Sequence, residues 1–190
     1  NPNANDANGM PLTGSESPHV HLQTLWKDYF DAWRPSCVLV VAHSYGAPNV
    51  VHLLKAEEAA RACIKAVAFT DGGAFAGSLL QERVPADGEG SPALVEKMRE
   101  FAELAPAAFA PAAPEVLKIL GAVGRNFVAS QLPAGTPIAA DRGGVLAVSA
   151  GHESHPATTH AAADKVFDFL CTGPERKAEE ANAEVRATLS

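Results

Sequence analysis

The chain has 190 residues, with 15 Lys+Arg against 22 Asp+Glu, a formal net charge of −7, and 47% hydrophobic residues. That length and apolar content suit one folded unit and exclude a wholly disordered chain. The acidic balance argues against nucleic acid or an anionic membrane as a direct ligand, and no apolar run approaches the ~18–20 residues of a membrane span.

Asn1 to Ser17 are rich in Asn, Gly, Pro and Ser without apolar periodicity, so they read as loop. Ser17-Pro18 supplies an N-cap with Pro at the first helical position. Val20, Leu22, Leu25, Trp26, Tyr29, Phe30 and Trp33 then recur at helical spacing. Pro35 ends that helix. The run Cys37 to Ala42 is short, continuous and β-branched, which predicts a strand buried on both faces, as in parallel sheets. A helix follows from Pro48 to about Ala62, then a second strand, Ala66 to Thr70, ending at Asp71. Strand, helix and strand at this spacing predict a right-handed βαβ unit.

Arg83 to Ser91 read as a charged linker, Ser91-Pro92 as the start of a helix, and Ala105 to Pro114 as irregular. A short helix is predicted from Glu115 to about Val123, and strands at Asn126–Ser130 and Val145–Ser149 with a loop between them. After Pro156 a helix is expected to send Val166, Phe167, Phe169 and Leu170 to the core. Residues 173–190 read as a polar helical or flexible tail, leaving 1–172 as the folded unit. The fold class is therefore α/β, a mainly parallel sheet flanked by helices.

Cys37, Cys63 and Cys171 are widely spaced and odd in number, so a disulfide scaffold is not expected and an intracellular setting, cytoplasmic or nuclear, is the default. No initiator Met stands at Asn1, and the chain is expected to belong to a longer protein.

The chemistry concentrates where strand meets helix. Ala42-His43-Ser44-Tyr45-Gly46 has the setting of a nucleophile elbow. A serine on so sharp a turn needs small residues two positions away, and Ala42 and Gly46 supply them. Ser44 would be lifted above the carboxyl edge of the sheet, and Tyr45 would offer its backbone N–H to a developing oxyanion. The same pentapeptide is also compatible with a plain turn.

A serine needs a base and an acid that orients it, in the chain order Ser, Asp/Glu, His. Ser149-Ala150-Gly151 leads into His152-Glu153-Ser154-His155, and either histidine there suits the base. Asp71, ending the strand beside the elbow strand, and Asp141, in the loop before the last strand, are the alternative acids. His43 reads as a residue that supports the site from behind or simply packs beside the elbow, and His52 and His160 as helix residues. His152, His155 and His160 with Glu153 lack a zinc-site spacing, so no metal or cofactor is expected.

Asn1-Pro2-Asn3, Ser17-Pro18 with His21 and Trp26, the elbow pentapeptide, Phe69-Thr70-Asp71, and Ser149-Ala150-Gly151 with His155 and Thr158 occur in succession. The combination, from Asn1 to about Leu170, resembles the Argonaute-binding-protein-two domain family. That domain is shared with cotranscriptional-regulator proteins and with a C-terminal domain of fungal class II histone deacetylases. The resemblance implies an α/β-hydrolase fold, with Ser44 as elbow serine, Asp71 as the aspartate of the threonine-aspartate pair, and His155 rather than His152 as the late histidine.

Two departures stand out. Gly46-Ala47 replaces the usual Gly-Gly, and no acid follows Ser130-Gln131-Leu132-Pro133-Ala134-Gly135. The family also carries strands and an oxyanion-loop region before its Asn-Pro-Asn, so one edge of the elbow strand is expected to be uncovered until a missing half or another chain covers it. The resemblance implies a protein partner, an Argonaute or chromatin complex, with silencing or cotranscriptional regulation as setting. On this reading the chain is mainly a protein-interaction module. The alternative is a serine hydrolase acting on an ester, thioester or amide through Ser44, His155 and Asp71.

Overall fold

The computed structural model describes residues 6–10, 12–72, 112–140 and 145–172, with backbone alone for 139–140. Expectations for Arg83–Ser91, the helix after Ser91, most of Ala105–Pro114, Asp141 and the tail from 173 lie outside the described residues.

Ser17 caps the first helix as its sequence predicts: its Oγ accepts the Val20 N–H at 3.3 Å ahead of α1, Pro18–Leu25. The helix continues through a π-helical turn, Trp26–Phe30, into α2, Asp31–Trp33. Such a turn is wider by one residue and rotates everything after it. Trp26 is buried and stacks on Phe30 at 4.7 Å, whereas Leu25, Tyr29 and Trp33 are exposed. The predicted apolar stripe is thus only partly used.

Among the described residues the sheet has five strands in the order β1-β2-β3-β5-β4: Val38–His43, Ile64–Thr70, Gly124–Val128, Leu146–Ser149 and Pro137–Ala140. The first four in that order run parallel, and β4 pairs antiparallel with β5 at the far edge. The loop predicted between β3 and β5 therefore contains a strand. Its Pro137 is tolerated because β4 is an edge strand. The predicted strand at Asn126–Ser130 lies two residues earlier, at Gly124–Val128.

Between β1 and β2 the expected single helix is two, α3 (Gly46–Ala56) and α4 (Glu58–Cys63), because Glu57 takes extended angles. Alternation in β2 divides the core. Val67 and Phe69 join Val50, Leu54, Val116 and Leu120 on one face, where α3 and α5 (Pro114–Val123) lie. Ala66 and Ala68 join Phe127, Val148, Val166 and Phe169 on the other, under α6 (Thr158–Ala161) and α7 (Ala163–Thr172). Phe167, expected in the core, is 64% exposed, since the buried arc of α7 runs through Val166, Phe169 and Leu170. The arrangement is an α/β fold with a mixed sheet flanked by helices.

β1 corrects the expectation of a strand buried on both faces. Among the described residues it is an edge strand, and Leu39 and Val41 are each 47% exposed. Those two residues sit opposite Ala66 and Ala68 in register, on the face of α7. That helix packs over β2 and leaves β1 uncovered there.

Candidate active site

β1 ends at His43, and Ser44 follows with φ +50, a left-handed conformation rare for a residue with a side chain. The turn is held by Ser44 N–H to the Thr70 carbonyl at 3.2 Å and by Ala47 N–H to the Ser44 carbonyl at 3.1 Å. Crowding explains the small neighbours: a Cβ on Gly46 would stand 3.3 Å from the Ala42 Cβ. The Ala47 methyl is accommodated by a second glycine, because a Cβ on Gly72 would meet the Ala47 Cβ at 2.7 Å. Tyr45 takes right-handed helical angles at the start of α3, setting the positive end of that helix beside Ser44. Burial pushes its phenol above the usual range, so the side chain stays neutral.

On the neighbouring strand Asp71 follows Thr70 and also has a left-handed backbone, φ +51, which aspartate tolerates better than most. Its N–H donates to the Phe127 carbonyl at 2.8 Å. The carboxylate is buried. Oδ1 accepts the Ala129 N–H at 3.2 Å, and Oδ2 lies 2.6 Å from His155 Nδ1. The turn after Asp71 is fastened by buried Asn126, whose Nδ2–H donates to the Gly72 carbonyl at 2.8 Å.

His155 arrives from the far side of the sheet. β5 leads through Gly151, whose φ of +79 makes the turn, into a loop whose His152 carbonyl accepts the Ser130 N–H at 3.0 Å. His152 turns its ring inward to its own loop: Nδ1 accepts the Ser154 N–H at 2.9 Å. His155 opens a 3-10 turn, its carbonyl accepting Thr158 Oγ1–H at 2.9 Å. Of the two late histidines, His155 is the one that reaches an acid among the described residues. With a carboxylate as acceptor, Nδ1 of neutral His155 carries the proton and Nε2 keeps a lone pair. That is the tautomer a general base needs.

Among the described residues Ser44 Oγ makes no hydrogen bond, so the acid–histidine half is joined and the serine stands apart. His160 is exposed on α6, and His52 is half-buried on α3 with its ring 4.7 Å from His19. No group of three or more His, Cys, Asp or Glu among the described residues could hold a metal ion. No described helix is long and apolar enough to cross a membrane. An apolar groove of about 490 Å³ runs between α1, β1 and α3, lined by Leu22, Trp26, Val40 and Leu53 and reaching Gly46.

Sequence reasoning passed over Asn126 and Thr159, and named Thr70 only as the neighbour of Asp71. A lone amide in an apolar strand was the available signal for Asn126. The pairing of the two threonines carried none, since their hydroxyls meet only after the fold brings residues 89 apart to 2.6 Å.

No protein family, no curated protein and no solved structure matches this chain.

Proposed function

We propose that the carboxyl edge of the sheet is an acyl-transfer site of the serine-hydrolase kind. The observation that carries the reading is the 2.6 Å contact between Asp71 Oδ2 and His155 Nδ1, with Ser44 on a left-handed strand-to-helix turn that follows the registered pair His43–Thr70 as Asp71 does. An orienting acid, a histidine with Nε2 available and a strained serine at a helix start form the constellation that nucleophilic catalysis uses. The finer assignment, an α/β-hydrolase-type domain like those of the Argonaute-binding-protein-two family, is part of this proposal.

The chemistry follows from the roles. Ser44 Oγ attacks the carbonyl carbon of an ester, thioester or amide while His155 Nε2 takes the hydroxyl proton. The tetrahedral oxyanion is held by the Tyr45 N–H at the start of α3. Asp71 stabilises the imidazolium, which then protonates the leaving group as its bond to carbon breaks. Water repeats the sequence on the acyl-serine, releasing the acid and restoring Ser44. The acid missing after Ser130 is not required, because Asp71 fills that role.

Fluorophosphonate labelling of the intact protein tests the reading. Ser44 would displace fluoride from phosphorus and leave one adduct by intact mass, absent in Ser44→Ala and slowed in His155→Ala. A folded protein that takes no adduct sinks it.

A second reading is a protein-interaction module, with a protein partner such as an Argonaute or chromatin complex. It is favoured by β1, which among the described residues has one unpaired edge, with Leu39 and Val41 half-exposed beside the apolar groove. Partner capture that survives Ser44→Ala and fails in Leu39→Asp/Val41→Asp would support this reading over the first.

A further inference from the structure

We propose that His43, the residue before the elbow serine, is a positioning residue for His155; the proposal rests on the reading of His155 as the base. The two rings lie 4.7 Å apart between centroids with an interplanar angle of 30°.

Strand parity brings them together. His43 is paired with Thr70 in register and lies on the same face of β1 as Leu39 and Val41, the face occupied by α6 and α7. Ala42, one residue earlier, faces α3 instead. The His43 ring is anchored at one end: Nδ1 lies 2.9 Å from the Thr70 carbonyl, an atom that can only accept, so Nδ1 carries the proton. The Thr70 and Thr159 hydroxyls lie 3.2 and 3.3 Å from the same nitrogen and 2.6 Å from each other. This knot ties the end of β2, which carries Asp71, to α6, which follows His155.

His155 needs such support. Its side chain is 45% exposed, and its tether is the hydrogen bond to Asp71. One hydrogen bond fixes a distance and a direction but leaves the imidazole free to swivel about the Nδ1···O axis. A ring laid against its face removes that swivel and holds Nε2 in one plane. The contribution asked of His43 is therefore its ring, and the donor at Nδ1 serves to hold that ring still.

Three variants of the full chain separate ring from donor. His43→Asn keeps an N–H for the Thr70 carbonyl without the ring, His43→Phe keeps a ring without the N–H, and His43→Ala keeps neither. Each is read by long-range imidazole ¹H–¹⁵N spectra and by fluorophosphonate labelling. In wild type, His155 should show one Nδ1–H tautomer and a nuclear Overhauser contact to His43. His43→Phe should keep that tautomer and label within about threefold of wild type. His43→Ala and His43→Asn should keep the Nδ1–H tautomer, which Asp71 holds, but show shifted and broadened His155 ring signals and label about 10- to 100-fold more slowly. A wild-type spectrum lacking the His43 contact overturns the proposal, as does His43→Ala with an unchanged His155 signal, or rescue by Asn and not Phe. A wild type that takes no label defeats the hydrolase reading, and the spectra still decide the place of His43.

Discussion

Ser44 and Asp71 leave adjacent parallel strands at the same level, one residue beyond the registered pair His43–Thr70, and both do so with left-handed backbones. Two such residues side by side store strain on the order of 1–3 kcal/mol each. A glycine accepts that conformation without the Cβ conflict. Ser44→Gly should therefore raise the urea midpoint, by about 1 kcal/mol of stability, while abolishing fluorophosphonate labelling. A less stable glycine variant would mean that the serine side chain is held by something beyond its backbone turn.

Gly72 and Ala47 share one space. Gly72→Ala should cost about 1–3 kcal/mol, because its Cβ would meet those of Ala47 at 2.7 Å and Phe69 at 3.2 Å. Ala47→Gly in the same chain should recover much of that loss. A double-mutant cycle by urea unfolding reads the coupling, and strict additivity would refute a direct contact.

Asp71→Asn keeps the shape and removes the charge. Labelling of Ser44 should fall by about 10³- to 10⁴-fold as His155 loses its preferred tautomer. Asp71→Ala additionally leaves the Ala129 N–H without its acceptor, at a cost of about 1–3 kcal/mol. Rates within tenfold of wild type for Asp71→Asn would exclude Asp71 as the orienting acid.

His52 on α3 makes stability depend on pH. Burial first, then the neighbouring charges of His19 and Lys55, hold its imidazole below the ordinary value of 6.5. As pH falls through 6.5 the unfolded chain takes up this proton before the folded one does, so the unfolded state gains and stability declines. The loss levels off once folded His52 is protonated as well. His52→Gln should flatten that part of the stability–pH curve, and an unchanged slope would assign it to another group.

How much could be read from the residues alone differs by element. The βαβ unit was legible because Val67 to Thr70 form an apolar run and a helix separates it from β1. The exposure of β1 was not, since an apolar run signals a strand without saying what covers its faces. β4 was hidden by Pro137 and the glycines around it, which read as loop until an edge position makes them acceptable. The sharp turn at Ser44 was legible through Ala42 and Gly46, whose small size has a local steric cause. The contacts that orient His155 were not, because they depend on which loops the sheet order brings together. His152 and His155 differ only in where the turn after Gly151 points each ring.

The distance along the chain between Asp71 and His155 also has a kinetic side. The two residues are 84 apart in sequence, whereas the β1–β2 pairing spans far fewer. Closing the shorter loop costs less chain entropy, so the β1–β2 unit is the natural early nucleus. β3 and β5 must join that nucleus before the His155 loop comes within reach of the carboxylate. The acid–histidine contact is thus expected to form after the β1–β2 pairing, and φ-values near 1 in β1 and β2 with values near 0 around His155 would bear that out. A chain caught halfway would carry the Ser44 turn already made while Asp71 and His155 still lay apart.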